Sequence, residues 1–391
     1  MIVITGLIIF LIFLKQFEIA AKQNPYLVTI LIISFFVKLI LLLLSENNII
    51  RLVDGGSDTV NFITESIRIY NANEFFGFLT YNNPEGNYPY FLSMVYVLTY
   101  PSHLVILFFG ILLHNSIIII MSKILDFFYL SKRNKFLLVL LVSFFPIILS
   151  YSVILLREII YIWYITFLCY NIVYYNCNKK FAHSGLLIFI ISLSVVFLHV
   201  GNLAIIFGAF ILFYKFNRLM KYSLIILLVF GFSYLVTNNM ASGYVNRYSV
   251  GETELLISEI NASRESSSAY YEKFYSSNII NNVFFALPLD FINFYFTPFV
   301  YPISNVYKRL LRYPYGLLSL YLFFIVLKNY RYASSNEKKM VLLLLVGMFP
   351  FVIGSGDLFQ AVRHRMNFFP LIIVLIAMFN QTNKRQHKDV K

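Results

Sequence analysis

Long apolar blocks alternate with short polar connections along the whole chain. An α-helix needs about 20 apolar residues to cross the hydrocarbon core of a membrane. Eleven blocks are predicted to cross it, at 1–14, 26–44, 102–121, 136–154, 158–175, 186–199, 201–214, 222–236, 315–328, 339–353 and 366–380. The pattern predicts an all-α, polytopic integral membrane protein that forms a single domain over residues 1–391.

Two segments between the apolar blocks are long and polar. The first covers 45–90. Residues 88–100, which overlap its end, either extend the next helix or form a separate interfacial piece. The second covers 237–314 and contains an aromatic run at 284–303 that is interrupted by prolines. Amphipathic aromatic rings favour the level of the lipid headgroups, so this run is predicted to be an interfacial or re-entrant helix.

The composition and the placement of charge agree with a membrane protein. The chain is 59% hydrophobic and 13% charged, and its mean hydropathy is +0.75. The net charge of +13 does not indicate nucleic-acid binding, because the basic residues lie in short loops between apolar blocks. If the first loop is cytoplasmic, the cytoplasmic side carries 19 basic and four acidic residues. The outer side then carries 11 basic and 14 acidic residues. This bias predicts that the N-terminus is outside and the C-terminus inside.

The sequence DGGSD at residues 54–58 is the first candidate for chemistry. Asp54 and Asp58 are four residues apart and would share one face if the segment is helical. A carboxylate at the membrane rim can act as a general base toward a hydroxyl group, or it can hold a divalent cation that bridges phosphates. The alternative is structural, since Ser57 or Asp58 would also cap a following helix.

Arg157 and Glu158 follow Leu156 directly between two apolar blocks, with no turn residues around them. Ionisable residues at that depth are costly and usually have partners. An arginine there can bind a phosphate with two parallel hydrogen bonds. The alternatives are an ion pair between the two residues or an arginine that extends to the surface.

Two further polar positions are predicted on the outer side. His199 lies in a tight reversal before Asn202, where a histidine is more often a turn residue than a catalytic one. Arg363, His364 and Arg365 precede the last apolar block. They place positive charge on the outer side, where basic residues are otherwise fewer, and this indicates an anionic ligand. Lipid headgroups are the alternative partner of these three residues.

Other site classes have no support in the sequence. Cys169 and Cys177 do not have the spacing of a metal site and are expected to be packing residues. Phosphate-loop, dinucleotide-binding and zinc-protease motifs are absent. We therefore expect no bound metal and no obligatory cofactor, apart from the divalent cation considered above.

The motifs resemble those of GT-C membrane glycosyltransferases, which are related to protein mannosyltransferases and bacterial lipid-linked sugar transferases. The similarity rests on short motifs spread over most of the chain, namely Ser57-Asp58, Tyr88-Pro89, Pro146 with Ser150, Leu156-Arg157-Glu158, and Arg363, Arg365 and Pro370. The size, the aromatic content and the number of apolar blocks also resemble the O-antigen and capsule repeat-unit polymerases of the Wzy type.

Both resemblances imply a polyprenyl-phosphate or polyprenyl-diphosphate glycan as donor and transfer on the outer face of a bacterial inner membrane. Asp54 or Asp58 would act on the acceptor hydroxyl, and Arg157, Arg363 and Arg365 would stabilise the phosphate charge. Glu158, His199 and His364 would complete the substrate site. Repeat-unit polymerisation with a chain-length regulator as partner is the expected role. A single-sugar transferase and a flippase are the alternatives.

Overall fold

The computed structural model describes residues 2–47, 49–50, 52, 57–75, 87–99, 101–154, 156–178, 180, 182–183, 185–198, 200–213, 287–296, 306–354 and 358–389. Within these ranges the chain forms α-helices, 3₁₀ turns and short connections, and no β-strand. The predicted all-α class is confirmed for this part of the chain. The predicted span 222–236 and most of the segment 237–314 lie outside the described residues.

The first eight helices are α1 (Ile2–Gln23), α2 (Pro25–Glu46), α3 (Ser57–Ala72), α4 (Tyr88–Leu98), α5 (His103–Asp126), α6 (Lys132–Phe144), α7 (Pro146–Val153) and α8 (Glu158–Asn178). The following described helices are α9 (Gly185–Leu198), α10 (Leu203–Phe213), α11 (Leu287–Phe296), α12 (Val306–Asn329), α13 (Ser335–Gly354), α14 (Leu358–Met366) and α15 (Phe369–Asp389). The contacts divide the chain into two compact units. Met1–His199 with Phe369–Lys391 form the first unit, and Val200–Phe368 form the second.

Three of the described helices are long and apolar enough to cross a membrane, and they are α1, α2 and α5. In the most apolar stretch of each helix, the share of residues buried inside the protein is 17% for α1, 33% for α2 and 67% for α5. The outward side chains of α1 and α2 are mostly Leu, Ile and Phe, which hydrocarbon would solvate and water would not. The helices are therefore consistent with a membrane protein.

Helix α5 lies at the centre of the first unit and contacts α1, α6, α7 and α8. It is mostly apolar, as expected for a helix that is surrounded by others, apart from the buried His114 and Asn115. Gly110 lets α7 approach closely, because a Cβ atom at this position would lie 2.8 Å from the carbonyl oxygen of Ser152. The hydroxyl group of Ser152 donates back to the carbonyl oxygen of Leu149, so it does not need a partner in the apolar core.

The block predicted as one span at 136–154 is two helices, α6 and α7, bent by 44° at Phe145. The residue before a proline avoids the helical region, and Phe145 is extended with φ −64° and ψ 120°. Pro146 then occupies the first position of α7, where its missing N–H has no cost. Together the two helices are long and apolar enough to be one broken membrane span or a re-entrant loop.

In the second unit, α10 packs against α13 through two glycines. A Cβ atom on Gly208 would lie 3.1 Å from Leu343, and one on Gly347 would lie 3.2 Å from Ile205. The ring of Phe368, just after α14, is closer still to Gly347, at 2.6 Å from the same imagined atom. The small residues therefore bring three parts of the unit into direct contact around α13.

Candidate functional site

The Leu156-Arg157-Glu158 segment is the junction between α7 and α8 in the first unit. Leu156 donates its backbone N–H to Ile154 at 2.9 Å, which closes a tight reversal. The carbonyl oxygen of Arg157 accepts the N–H groups of Ile160 and Tyr161 at the first turn of α8. The predicted passage without a loop was wrong, because residues 154–157 separate the two helices, and the backbone of Arg157 begins the second helix.

Arg157 and Glu158 differ sharply in their exposure. Arg157 is half-buried, whereas Glu158 has 0% of its surface exposed. Glu158 lies in the first turn of α8, where a negative charge interacts favourably with the positive end of the helix dipole. The junction thus combines a buried carboxylate with a half-buried arginine.

Two tyrosines complete the surroundings of this junction. Tyr88, the first residue of α4, lies close enough to Glu158, Arg157 and Tyr161 for the charges of these groups to act on its hydroxyl. Tyr88 and Tyr161 are almost fully buried, at 2% and 1% exposure. Arg157, Glu158, Tyr161 and Tyr88 therefore lie in one region of the first unit, which we call the Glu158 cluster.

Helix α3 connects the predicted acidic segment to the Glu158 cluster. It packs on α4, and the ring of Phe62 meets that of Tyr88 edge to face at 5.0 Å between centroids. Asp58 is in the first turn of α3, one helical turn before Phe62. The predicted helix after DGGSD is therefore present and begins at Ser57. The side chain of Asp58 and the whole of Asp54 lie outside the described residues.

The opposite face of α3 is polar. Arg68 donates to Glu65 at 2.8 Å and to Glu74 at 3.0 Å, while Ser66 and Ile69 are buried. An amphipathic helix with one apolar face and one charged face is typical of a membrane interface. The predicted location of the 45–90 segment at the membrane rim stays a prediction.

The second predicted cationic group, Arg363 to Arg365, lies on α14 in the second unit. Arg365 is fully buried, and its Nη1 atom donates to the carbonyl oxygens of Phe294 and Tyr295. These carbonyl groups belong to the last turn of α11, whose oxygens have no partner within the helix. A basic side chain at a helix C-terminus satisfies such oxygens and interacts favourably with the dipole. Arg365 therefore has a structural contact that the sequence did not predict.

The other two members of the cationic group have different surroundings. His364 packs its ring against Phe351 at 5.0 Å between centroids. Arg363 is half-buried. Of the two arginines, Arg363 is the more exposed. The phosphate-binding role predicted for Arg363, His364 and Arg365 stays a prediction.

His199 lies outside the described residues, so its predicted role also stays a prediction. The residues after it, Val200–Asn202, form a 3₁₀ turn that leads into α10, and Asn202 is fully buried. The predicted tight reversal at 199–202 stays a prediction.

No protein-family model, curated protein or solved structure matches this chain.

A polar cluster within the predicted spans was not assigned by the sequence analysis. Lys38 is fully buried on α2, and its Nζ atom donates to Oδ1 of Asn115 on α5 at 2.7 Å. The neighbouring His114 is also fully buried and has its Nε2 atom 3.2 Å from the carbonyl oxygen of Val142 on α6. The sequence feature that indicates this cluster is a lone lysine inside an apolar block, because such residues usually have a function or a partner.

Metal binding receives no support from the described residues, among which no three His, Cys, Asp or Glu side chains form a group that could hold an ion. Asp54 is not among them, so the alternative of a divalent cation at 54–58 stays open. Cys169 is buried and Cys177 is exposed, and neither forms a disulfide within the described part of the chain.

Proposed function

We propose that this protein is a membrane glycosyltransferase that takes a glycan from a polyprenyl-phosphate or polyprenyl-diphosphate donor. Its specific role in this proposal is the polymerisation of repeat units of a bacterial surface polysaccharide. The observation that carries the proposal is the Glu158 cluster, where the half-buried Arg157 lies beside a buried carboxylate and near two buried tyrosines. Glycosyl transfer from a phosphate needs this combination of a fixed cation and hydrogen-bonding groups.

The chemistry assigns one task to each group. The acceptor hydroxyl oxygen bonds to the anomeric carbon of the donor while the bond from that carbon to the phosphate oxygen breaks. Asp54 or Asp58 takes the hydroxyl proton, and the electron pair of the broken bond stays on the phosphate. Arg157 stabilises that charge with two hydrogen bonds, and a site away from water strengthens them.

Glu158 and the tyrosines have a supporting task in this proposal. In this proposal the negative charge of Glu158 orients Arg157, since rigid surroundings make a charged group effective in a transition state. Helix α3 supports the assignment of Asp58, because its contact through Phe62 and Tyr88 connects that helix to the same cluster.

The membrane topology is part of the same proposal. Eleven spans with the N-terminus outside would put residues 45–90, Arg157, His199 and Arg363 on the outer side, and the distribution of basic residues supports this orientation. A lipid-linked donor reaches such a site by diffusion within the membrane. The inner membrane of a bacterium is the proposed location.

Two alternatives use the same donor lipid. A GT-C transferase would add one sugar from a polyprenyl phosphate and stop. A flippase would move the lipid-linked glycan across the membrane, and the buried Lys38 with His114 favours it, since transporters place ionisable residues inside the membrane. A polymerase loss leaves single repeat units on the cell surface, whereas a flippase loss leaves none.

The test is an assay of the purified full-length protein with a synthetic lipid-linked repeat unit. A ladder of products supports the polymerase, and one added unit indicates the single-sugar transferase. Arg157→Ala should abolish either product, while Arg331→Ala, which removes an exposed arginine of the 3₁₀ turn Tyr330–Tyr332, should not. The absence of product with the wild-type protein, together with transport of the lipid in vesicles, would contradict the enzyme proposal.

A further inference from the structure

A groove in the second unit lies beside the start of α13. Its volume is about 430 Å³. It is lined by Tyr330, Ser335, Lys338, Lys339, Val341, Leu342 and Leu345. One end of this lining is polar and cationic, and the other end is aliphatic. None of these residues takes part in the proposed glycosyl transfer.

The start of α13 is fixed by a reciprocal capping interaction. The Glu337 carboxylate accepts the backbone N–H of Ser334 at 2.6 Å, and the Ser334 hydroxyl accepts the N–H of Glu337 at 3.3 Å. This pattern of Ser followed three residues later by Glu is the capping box. Glu337, which is 4% exposed, therefore directs its carboxylate into the cap and is not part of the groove lining.

The side chains along the groove change from polar to apolar in one direction. Ser335, Lys338, Leu342 and Leu345 follow one another at intervals of three or four residues, so they lie on one face of α13. The face is about 15 Å long at 1.5 Å per residue. Leu342 and Leu345 are 46% and 42% exposed, so their side chains form an aliphatic surface that an acyl chain can contact.

The cationic end is partly ordered by an aromatic ring. The Nζ atom of Lys338 lies 5.5 Å from the centroid of the Tyr330 ring, within the range of a cation–π interaction. Lys339 is beside it in the lining. Two adjacent ammonium groups beside a ring, with no acidic residue in the lining, form a site for an anion.

We propose that this groove binds an anionic phospholipid, with its phosphate at Lys338 and Lys339 and an acyl chain along Leu342 and Leu345. Charge complementarity favours an anionic headgroup, and the aliphatic wall favours a lipid over a soluble phosphate. The proposal requires that α13 enters the membrane, as the sequence predicts for 339–353. The predicted side of the membrane is cytoplasmic, where anionic lipids attract basic residues. The proposal does not depend on the glycosyltransferase activity.

The experiment is native mass spectrometry of the full-length protein in detergent, with added phosphatidylglycerol or phosphatidylcholine of identical acyl chains. We expect the wild type to retain phosphatidylglycerol preferentially. The double variant Lys338→Gln, Lys339→Gln should lower that retention about tenfold or more, because each lysine near an anionic headgroup contributes substantially to the binding free energy. Lys132→Gln with Arg133→Gln removes the same charge from another exposed helix start and should leave retention unchanged.

A third variant tests the acyl chain. Leu342→Asn keeps both lysines but makes the wall polar, and it should also lower retention. Wild-type protein without preference, unchanged retention in the double lysine variant, or an equal loss in the Lys132 and Arg133 control would overturn the proposal. Unchanged retention in Leu342→Asn would assign the lysines to a soluble anion and would overturn it as well. The single variants Lys338→Gln and Lys339→Gln replace the double variant if that protein does not elute as a single peak.

Discussion

The Nη1 atom of Arg365 lies 2.8 Å from the carbonyl oxygen of Phe294, 71 residues earlier in the chain. This contact attaches α14 to the end of α11, the helix that the proline-interrupted aromatic run forms. It also gives the two arginines of α14 different roles. Arg365 makes a structural contact, whereas Arg363 is the more accessible of the pair.

Arg365→Ala should therefore reduce protein stability, and Arg363→Ala should not. A hydrogen bond to a charged group contributes about 1.5–3 kcal/mol, and the freed carbonyl oxygens would stay buried. We expect a lower melting temperature and a lower abundance for Arg365→Ala, and reduced polymer with normal abundance for Arg363→Ala. Immunoblotting and a thermal scan of both purified variants distinguish these results. Equal abundance of the two proteins would contradict the structural role of Arg365.

Arg157→Ala should remove activity at a normal protein level. Arg157 is only half-buried, and the contact that begins α8 is made by its backbone carbonyl group, which any residue supplies. Arg157→Lys should rescue activity poorly, because an ammonium group cannot make two parallel hydrogen bonds to phosphate. Polymer length and protein abundance are the measurements. Wild-type polymer in Arg157→Ala would leave Arg157 as a surface anchor.

Asp54→Asn and Asp58→Asn separate a general base from a helix cap. Loss of a general base lowers the rate by about 10²–10⁴-fold, whereas Asn caps a helix nearly as well as Asp. If Asp58 is only a cap, Asp58→Asn is almost silent and Asp58→Ala costs about 1 kcal/mol. The rate of polymer formation by the purified variants decides between the two tasks. Unchanged rates in both Asn variants would remove this segment from the catalytic proposal.

The buried Lys38 is open to a stability test. Replacing buried ionic groups by apolar ones of similar size is often neutral or stabilising, but a partner left without its hydrogen bond is costly. Lys38→Met alone should therefore be less stable than Lys38→Met combined with Asn115→Leu. The melting temperatures of the wild type, both single variants and the double variant give the coupling between the two residues. Additive changes would show that the hydrogen bond does not connect α2 to α5 energetically.

Stability should decrease in mild acid because of His183, in the connection between α8 and α9. Burial, and then the charge of Lys123, lower the pKa of His183 below its usual 6.5. Its Nδ1 atom is 3.1 Å from Oδ1 of Asn171. Below about pH 6.5 the unfolded chain binds a proton that the folded protein resists, so stability is full above this pH and falls as the pH decreases.

The measurement is the melting temperature of the wild type and of His183→Gln between pH 7.5 and 5. Gln keeps a hydrogen-bonding group near Asn171 but does not titrate. The decrease should be smaller in His183→Gln than in the wild type. Parallel curves would assign the pH dependence to another group.

The sequence predicted the elements better than their partners. Apolar blocks such as 26–44 and 102–121 correspond to α2 and α5, because hydrophobic length is a local property. The proximity of Tyr88 to Glu158 depends on how α4 packs, and no local pattern contains it. The partners of Arg365 are backbone carbonyl groups, which every residue has, so no side-chain pattern could indicate them.

The hydrogen bond from Lys38 to Asn115 has a consequence for synthesis, because its acceptor is 77 residues downstream. A ribosome that adds about 5–20 residues per second completes that distance in roughly 4–15 s. During this interval α2 has left the ribosome, and its lysine, near the middle of an apolar helix, costs about 2.5–3.5 kcal/mol in the membrane. The nascent chain therefore has to be retained by the insertion machinery, or to shift in the bilayer, until α5 arrives. Correct insertion consequently depends on the speed of translation between codons 38 and 115.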